Sequence, residues 1–185
     1  MEKIYKLLVK TLSPVEVQRL GKKFGLDIPI VMYDEIINSD HLDELFDKYP
    51  NGFIVFYPSY VKTNGKNRHL DGHYVCMFKK DHTVYYFDSY GSLPDSIKKM
   101  VPQRDELYKE NINSLIDLLY RSPYHIDYNN YKFQKITNDA GTCGRWCIFR
   151  LLYHDFNADQ FHKEVKRLCK KFNLDGDELV SVIVS

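Results

Sequence analysis

Residues 142–153 constrain the fold more than any other stretch of the chain. Asp139, Ala140, Gly141 and Thr142 suit a turn and neither strand nor helix. Behind them Trp146, Cys147, Phe149, Arg150, Leu151 and Tyr153 recur at helical spacing, so an apolar helix opens at Cys143. The start of a helix carries unpaired N–H groups and about half a positive charge. A thiol set at such an end is drawn toward thiolate, the form that attacks carbonyl carbon. Gly144 leaves room beside Cys143. Taken alone, Cys143 reads equally well as one more buried thiol, because free cysteine is commonly buried.

The chain of 185 residues is 44% hydrophobic, enough for a core, and suits one domain over residues 1–185. Its net charge of +1 supplies no global field for a nucleic acid. The basic clusters at Lys79-Lys80, at Lys98-Lys99 and over 163–171 read as solvated faces. Cys76, Cys143, Cys147 and Cys169 form no C-x-x-C pair, and Met1-Glu2-Lys3 opens no signal peptide. A soluble protein of a reducing compartment is expected, without a disulfide framework. Cys143 and Cys147 lie four apart, with His154 a further turn or more away, which is poor zinc spacing. No metal or cofactor is expected. No apolar run reaches membrane-spanning length, so no membrane partner is expected.

Residues 4–9 are amphipathic and suit a strand or a short helix. Ser13-Pro14-Val15-Glu16 is a helix start with a capping box, and that helix should end at Gly25. Residues 29–33 read as a short strand or an extended link, and Asp40 can cap a second helix through Phe46. Residues 53–57 are a continuous apolar run, a strand buried on both faces. Residues 62–70 are polar and read as an exposed loop around Asn64-Gly65-Lys66-Asn67. Strands follow at 72–78 and 83–87, then an amphipathic helix over 105–120. Residues 124–128 and 131–136 read as strands around a hairpin-like turn at Asn129-Asn130. After the helix from Cys143, Asn157 caps another, and 179–184 closes the chain as helix or strand.

A catalytic cysteine needs a base and a group to orient that base. With Lys80-Asp81 as a tight hairpin turn, His73 lies directly opposite Asp88. The carboxylate there would hold the imidazole Nδ1–H. A register shift of two leaves the pair diagonal and within reach, whereas a shift of one puts the residues on opposite faces. His69, His82 and His125 fall in loops or at strand edges, and His154 and His162 on helix surfaces. Asp71 is the alternative orienting acid, poorly placed on the same strand as His73. Oxyanion donors would be the Cys143 backbone N–H and an upstream amide, Gln134 or, as runner-up, Asn138.

These residues together resemble the adenain-like and ubiquitin-like-protein-processing cysteine peptidases. That superfamily shows a Gly-His-aromatic strand, an acid at the end of the next strand, a Gln, and Cys-Gly opening the central helix. The matches are Gly72-His73-Tyr74, Phe87-Asp88-Ser89-Tyr90-Gly91, Gln134, and Thr142-Cys143-Gly144-Arg145-Trp146-Cys147. They look most like the maturation proteases of adenovirus-related large and satellite DNA viruses. Tyr74 stands where Trp is usual, and the interval of nine from Gln134 to Cys143 is longer than usual, which keeps Asn138 in play.

The resemblance implies a papain-like α+β fold: a central nucleophile-bearing helix packed on a mixed sheet and surrounded by helices. The catalytic motifs would occupy 71–154, and 1–70 would be an N-terminal helical subregion. It implies peptide-bond hydrolysis through a thioester. Cys143 would be nucleophile, His73 base and then acid, Asp88 orienter, and Gln134 an oxyanion donor. The implied substrates are viral capsid or core precursors cut after small, Gly-containing sites, in the host cytoplasm or nucleus and in the virion. The alternative partners are conjugates of ubiquitin or a ubiquitin-like modifier, and the non-enzymatic alternative is an idle binding module. Adenain is stimulated by DNA and a peptide; the near-neutral charge gives no support for such an activator here.

Overall fold

The structure, a computed structural model, describes residues 2–64, 67–96, 114–135 and 141–185, with backbone alone over 2–4, 59–64 and 67–71. It is a mixed α+β arrangement in which five strands form one sheet in chain order. β1 (Ile30–Met32) runs parallel to β2 (Phe53–Asn64). β2, β3 (Asn67–Lys80) and β4 (Thr83–Asp88) are antiparallel neighbours, and β5 (His125–Tyr128) lies parallel to β4.

The described helices are α1 (Glu2–Leu8), α2 (Pro14–Lys23), α3 (Tyr33–Ile37), α4 (Leu42–Lys48), α5 (Leu115–Arg121), α6 (Cys143–Leu152), α7 (Ala158–Phe172) and α8 (Gly176–Ile183). Ser13, Ser114, Asn157 and Asp175 start α2, α5, α7 and α8 with reciprocal capping boxes. The capping motif at Ser13 and the cap at Asn157 are therefore legible directly in the sequence.

Both faces of the sheet are covered, which explains the unbroken apolar run of β2. Ile54, Phe56, Tyr74, Cys76, Phe78 and Phe87 pack with Trp146, Cys147 and Phe149 of α6 and Phe161 of α7. The alternate residues Val55, Tyr57, Val75, Met77, Val84 and Tyr86 pack with Tyr33 and Ile36 of α3, Leu45 and Phe46 of α4, and Leu115 and Leu118 of α5. α6 is buried along nine consecutive residues from Cys143 to Leu151. The buried Arg150 belongs to this apolar set because it closes the helix end. Its two terminal nitrogens donate to the Tyr153 and Phe156 carbonyls at 2.7 Å, and its guanidinium lies over the Phe78 ring at 4.7 Å.

Five expectations need correction. The polar stretch 62–70 is paired strand up to Asn64 and from Asn67, because backbone pairing needs no apolar side chain. Tyr33 opens α3 and does not continue β1. α4 starts at Leu42 behind His41, with no side-chain cap from Asp40. Residues 131–135 form no strand: the Phe133 and Gln134 N–H groups both donate to the Ser89 carbonyl, which bends the chain. Asn129-Asn130 is no hairpin turn either, since β5 pairs only with β4. Of the helix expected over 105–120, the part before Ser114 lies outside the described residues.

Residues 8–12 form a strap between the sheet and α6. The Leu8 carbonyl accepts from Gly141 N–H at 3.0 Å, the Lys10 carbonyl from Arg145 Nη1 at 3.0 Å, and the Leu12 carbonyl from Tyr74 Oη at 3.0 Å. A Cβ on Gly141 would come within 2.7 Å of Thr11 Cα, so only glycine allows this approach. Tyr74→Phe removes one tie and leaves a carbonyl short of its donor. We expect a loss of about 1–3 kcal/mol, read as a lower urea midpoint with unchanged m-value.

Candidate active site

The β3–β4 turn is Asp81-His82, flanked by the paired Lys80 and Thr83. Asp81 takes φ 52, which aspartate tolerates better than most residues. The register is thus shifted by two from the expected one: Val75 faces Asp88 directly. His73 and Asp88 are diagonal and on the same face, so the carboxyl still reaches the ring. His73 Nε2 donates to Asp88 Oδ1 at 2.9 Å. The expected contact through Nδ1 is corrected: Nε2 is the nitrogen taken by Asp88, and the Cys143 side chain acts on the same ring by helping to raise its pKa.

Cys143 is the first residue of α6, where the helix N-terminus points its free N–H groups. Cys143, His73, Asp88 and Gln134 are all buried. Burial acts most strongly on the His73 ring and pulls its pKa down, but hydrogen bonds to Asp88 and Cys143, with their charges, outweigh it and push it up to about 10. The ring therefore holds a proton at neutral pH, the state that suits a thiolate neighbour.

The raised pKa makes stability depend on pH. The folded value of about 10 exceeds the ordinary 6.5, so the contribution is complete below pH 6.5 and lost as pH climbs toward 10. We expect the urea midpoint to fall between pH 6.5 and 9, as the unfolding free energy drops by at most about 1.4 kcal/mol for each pH unit crossed. Asp88→Asn should flatten the curve. The buried Tyr33, Tyr57 and Tyr86 hydroxyls, pushed up mainly by burial, add their own loss only above this window.

Asn129 fixes Asp88 where the ladder ends. Its Oδ1 accepts from Asp88 N–H at 2.8 Å and its Nδ2 donates to the Asp88 carbonyl at 2.7 Å. Asp88 Oδ1 also accepts from Tyr90 N–H at 2.8 Å. The Tyr90 ring stacks on His73 with centroids 4.8 Å apart. Burial first, then the Cys143 and Asp88 charges, push the Tyr90 hydroxyl up to about 12.

Gln134 joins this group from the bend at 133–135. Ser89 Oγ donates to Gln134 Oε1 at 2.8 Å, which turns Nε2 toward the Tyr90 hydroxyl at 3.3 Å. The amide NH2 thus faces Tyr90, the residue stacked on His73. Asn138 lies outside the described residues, as do the side chains of His69 and Asp71.

The other histidines stay away from this cluster: His82 lies against Tyr124 with centroids 5.4 Å apart, and His125 and His154 are exposed. His162 is half-buried, stacked on Tyr131 at 3.8 Å, not a plain surface residue.

Sequence reasoning missed the parts played by Asn129, Ser89 and Tyr90. Ser89 and Tyr90 were visible as neighbours of Asp88 in the motif. Asn129 gave only a turn signal, because nothing local distinguishes an asparagine that clamps a distant backbone from one that makes a turn.

Among the described residues no group of three His, Cys, Asp or Glu side chains is placed to hold a metal ion. The four cysteines are unbridged. No described helix is long and apolar enough to cross a membrane.

Fold and site together define an α+β protein with a cysteine–histidine–carboxylate constellation at the N-terminus of a buried helix. No family model matches the chain. It is 35% identical over 159 residues to "Uncharacterized protein V9" of Sputnik virophage, covering 83% of this chain and 84% of that protein. The chain belongs to the family of that virophage protein.

Proposed function

We propose that the chain is a cysteine endopeptidase of the adenain-like superfamily, with a papain-like disposition of helix and sheet. The observation that carries this reading is the 2.9 Å bond between His73 Nε2 and Asp88 Oδ1, on an imidazole whose proton affinity the Cys143 side chain also raises. With the proton already on His73, Cys143 Sγ attacks the substrate carbonyl carbon. The oxyanion is met by the Cys143 N–H and by Gln134 Nε2. The C–N bond then breaks, His73 gives its proton to the leaving amine, and a thioester remains. Water, deprotonated by His73, cleaves the thioester and restores the thiol.

Cys143 is 5% exposed and His73 6%. So deep a pair favours a scissile bond flanked by small residues, in keeping with glycine-containing sites. The relative is a virophage protein, and a viral setting is in keeping with capsid or core precursors as substrates, cut in the infected cell or the virion.

The test is cleavage by the purified chain of a tagged virion precursor carrying a Gly-containing site, beside a fluorogenic ubiquitin-like substrate. Precursor cleavage is expected. Turnover of the modifier with the precursor intact would make the chain a deconjugase instead. If Cys143 reacted with a mild alkylator no faster than Cys147, the chain would be a binding module.

A further inference from the structure

Asp177 lies in the first turn of α8, far in sequence from every catalytic motif, yet its buried carboxyl group sits behind the site. Oδ1 accepts from Thr142 Oγ1 at 2.6 Å and from Trp146 Nε1 at 3.0 Å. Oδ2 accepts from the backbone N–H of Lys135 at 2.9 Å. Thr142 immediately precedes Cys143, and Lys135 immediately follows Gln134. One carboxyl group therefore ties down the neighbours of both groups read above as oxyanion donors.

The approach of α8 is close enough to enforce this. A Cβ on Gly176 would lie 2.9 Å from the Phe133 carbonyl oxygen and 3.1 Å from the Trp146 ring. The start of α8 is thus wedged between the bend that carries Gln134 and the helix that carries Cys143. Asp175, two residues earlier, already caps α8 and reaches Lys135 Nζ at 2.8 Å, so Asp177 is not needed as the cap. Thr142 makes no side-chain cap for α6; its hydroxyl is turned to Asp177 instead.

We propose that Asp177 is a positioning residue that sets the distance between the Cys143 N–H and the Gln134 side-chain amide, and so the width of the oxyanion site. This rests on the peptidase reading above. The bond from Asp177 to Lys135 fixes one side of the site, and the bonds to Thr142 and Trp146 fix the other. His73 is held by its pairing with Tyr57 of β2, and Asp88 by its pairing with Val75 of β3 and by Asn129. Loosening Asp177 should therefore damage oxyanion binding while leaving the thiol and its base together.

The test uses the full chain and two variants. In Asp177→Asn one oxygen can still meet Thr142 and Trp146, but the amide NH2 then opposes the Lys135 N–H. Thr142→Val removes only the hydroxyl and keeps the other two bonds, so it preserves the fold even if the first variant does not. Three quantities are read well below the melting temperature: kcat and KM on the precursor peptide, affinity for a Gly-Gly-aldehyde, and the rate of Cys143 alkylation by iodoacetamide. The aldehyde adduct uses the oxyanion site, whereas alkylation does not.

We expect kcat and aldehyde affinity to fall together by roughly 10–100-fold, less than the ~10²–10³ of losing a donor outright. KM and the alkylation rate should stay within about twofold. The proposal is overturned if kcat and aldehyde affinity are unchanged in folded Thr142→Val, or if alkylation falls in step with them, which would mark a general structural role. A wild-type chain that is alkylated at Cys143 but neither cleaves peptide nor binds the aldehyde would overturn the peptidase reading itself, and the proposal with it.

Discussion

If the chain is the proposed peptidase, replacing Cys143 by alanine should lower peptide cleavage by about 10⁴–10⁶-fold, the range set by losing the nucleophile of a constellation that acts as a unit. The fold should survive, because Cys143 opens α6 and Cβ remains in place. The cost in stability should be about 1 kcal/mol from the lost sulfur contacts. His73→Ala should be nearly as damaging, since the thiol then has neither base nor acid. Asp88→Asn should cost less. It keeps an oxygen that can accept from His73 Nε2, but it removes the charge that supports the protonated ring. The measurement is kcat/KM on a glycine-containing precursor peptide, with circular dichroism to confirm folding. Cys143→Ala with wild-type activity would sink the mechanism. Cys147 makes the contrast sharp: it lies one turn further into the same helix, fully buried, and burial holds its thiol well above the ordinary range. An alkylating agent should therefore label Cys143 and pass over Cys147.

The constellation was legible in the sequence because its members come from short motifs whose local meaning survives folding. Cys-Gly after a turn marks the start of α6, Phe-Asp marks the end of β4, and Gly-His-aromatic lies on β3 where the pairing with β4 stops. What was not legible was register. The turn falls at Asp81-His82, one position beyond Lys80-Asp81, and moving a turn by one residue moves the cross-strand pairing by two. Because two is the side-chain period of a strand, His73 and Asp88 stay on one face and the imidazole still meets the carboxyl group.

The supporting shell was harder to see. Asn129, Ser89 and Asp177 act through hydrogen bonds to residues as far as 41, 45 and 42 positions away. An asparagine in a turn and an aspartate in a first helical turn have sufficient local explanations. Sequence patterns carry no trace of the second role. The bend at Gln134 shows the same limit. Residues 131–135 look like strand, but the Ser89 carbonyl takes both the Phe133 and Gln134 N–H groups and leaves none for a ladder.

The glycine of Gly72-His73 has a reason of its own, and it carries the second large effect. Gly72 lies opposite Pro58, beside the irregularity between Pro58 and Tyr60, and Tyr57 lies opposite His73. A Cβ at Gly72 would sit 2.3 Å from the Tyr57 carbonyl oxygen and 2.6 Å from the Phe56 ring. The ring is itself wedged against Tyr74, with centroids 4.7 Å apart, so it has little freedom to yield. The carbonyl is backbone and yields only if β2 and β3 separate. Gly72→Ala should therefore cost about 3 kcal/mol or more, a drop in melting temperature of roughly 6–12 °C at 2–4 °C per kcal/mol for a chain of this size. Separation of the strands moves His73 away from Asp88 and Cys143, and a displacement near 1 Å costs about 10²-fold in kcat. Adding Phe56→Leu should recover only part of the stability, because it relieves the ring contact and leaves the carbonyl contact. Gly25 is the control. It has φ +75 with nothing within 4 Å of an added Cβ, so Gly25→Ala should cost about 1 kcal/mol through backbone strain alone. It should leave kcat unchanged. If Gly72→Ala melted and cleaved like the parent chain, close backbone approach would not be what requires glycine before the histidine.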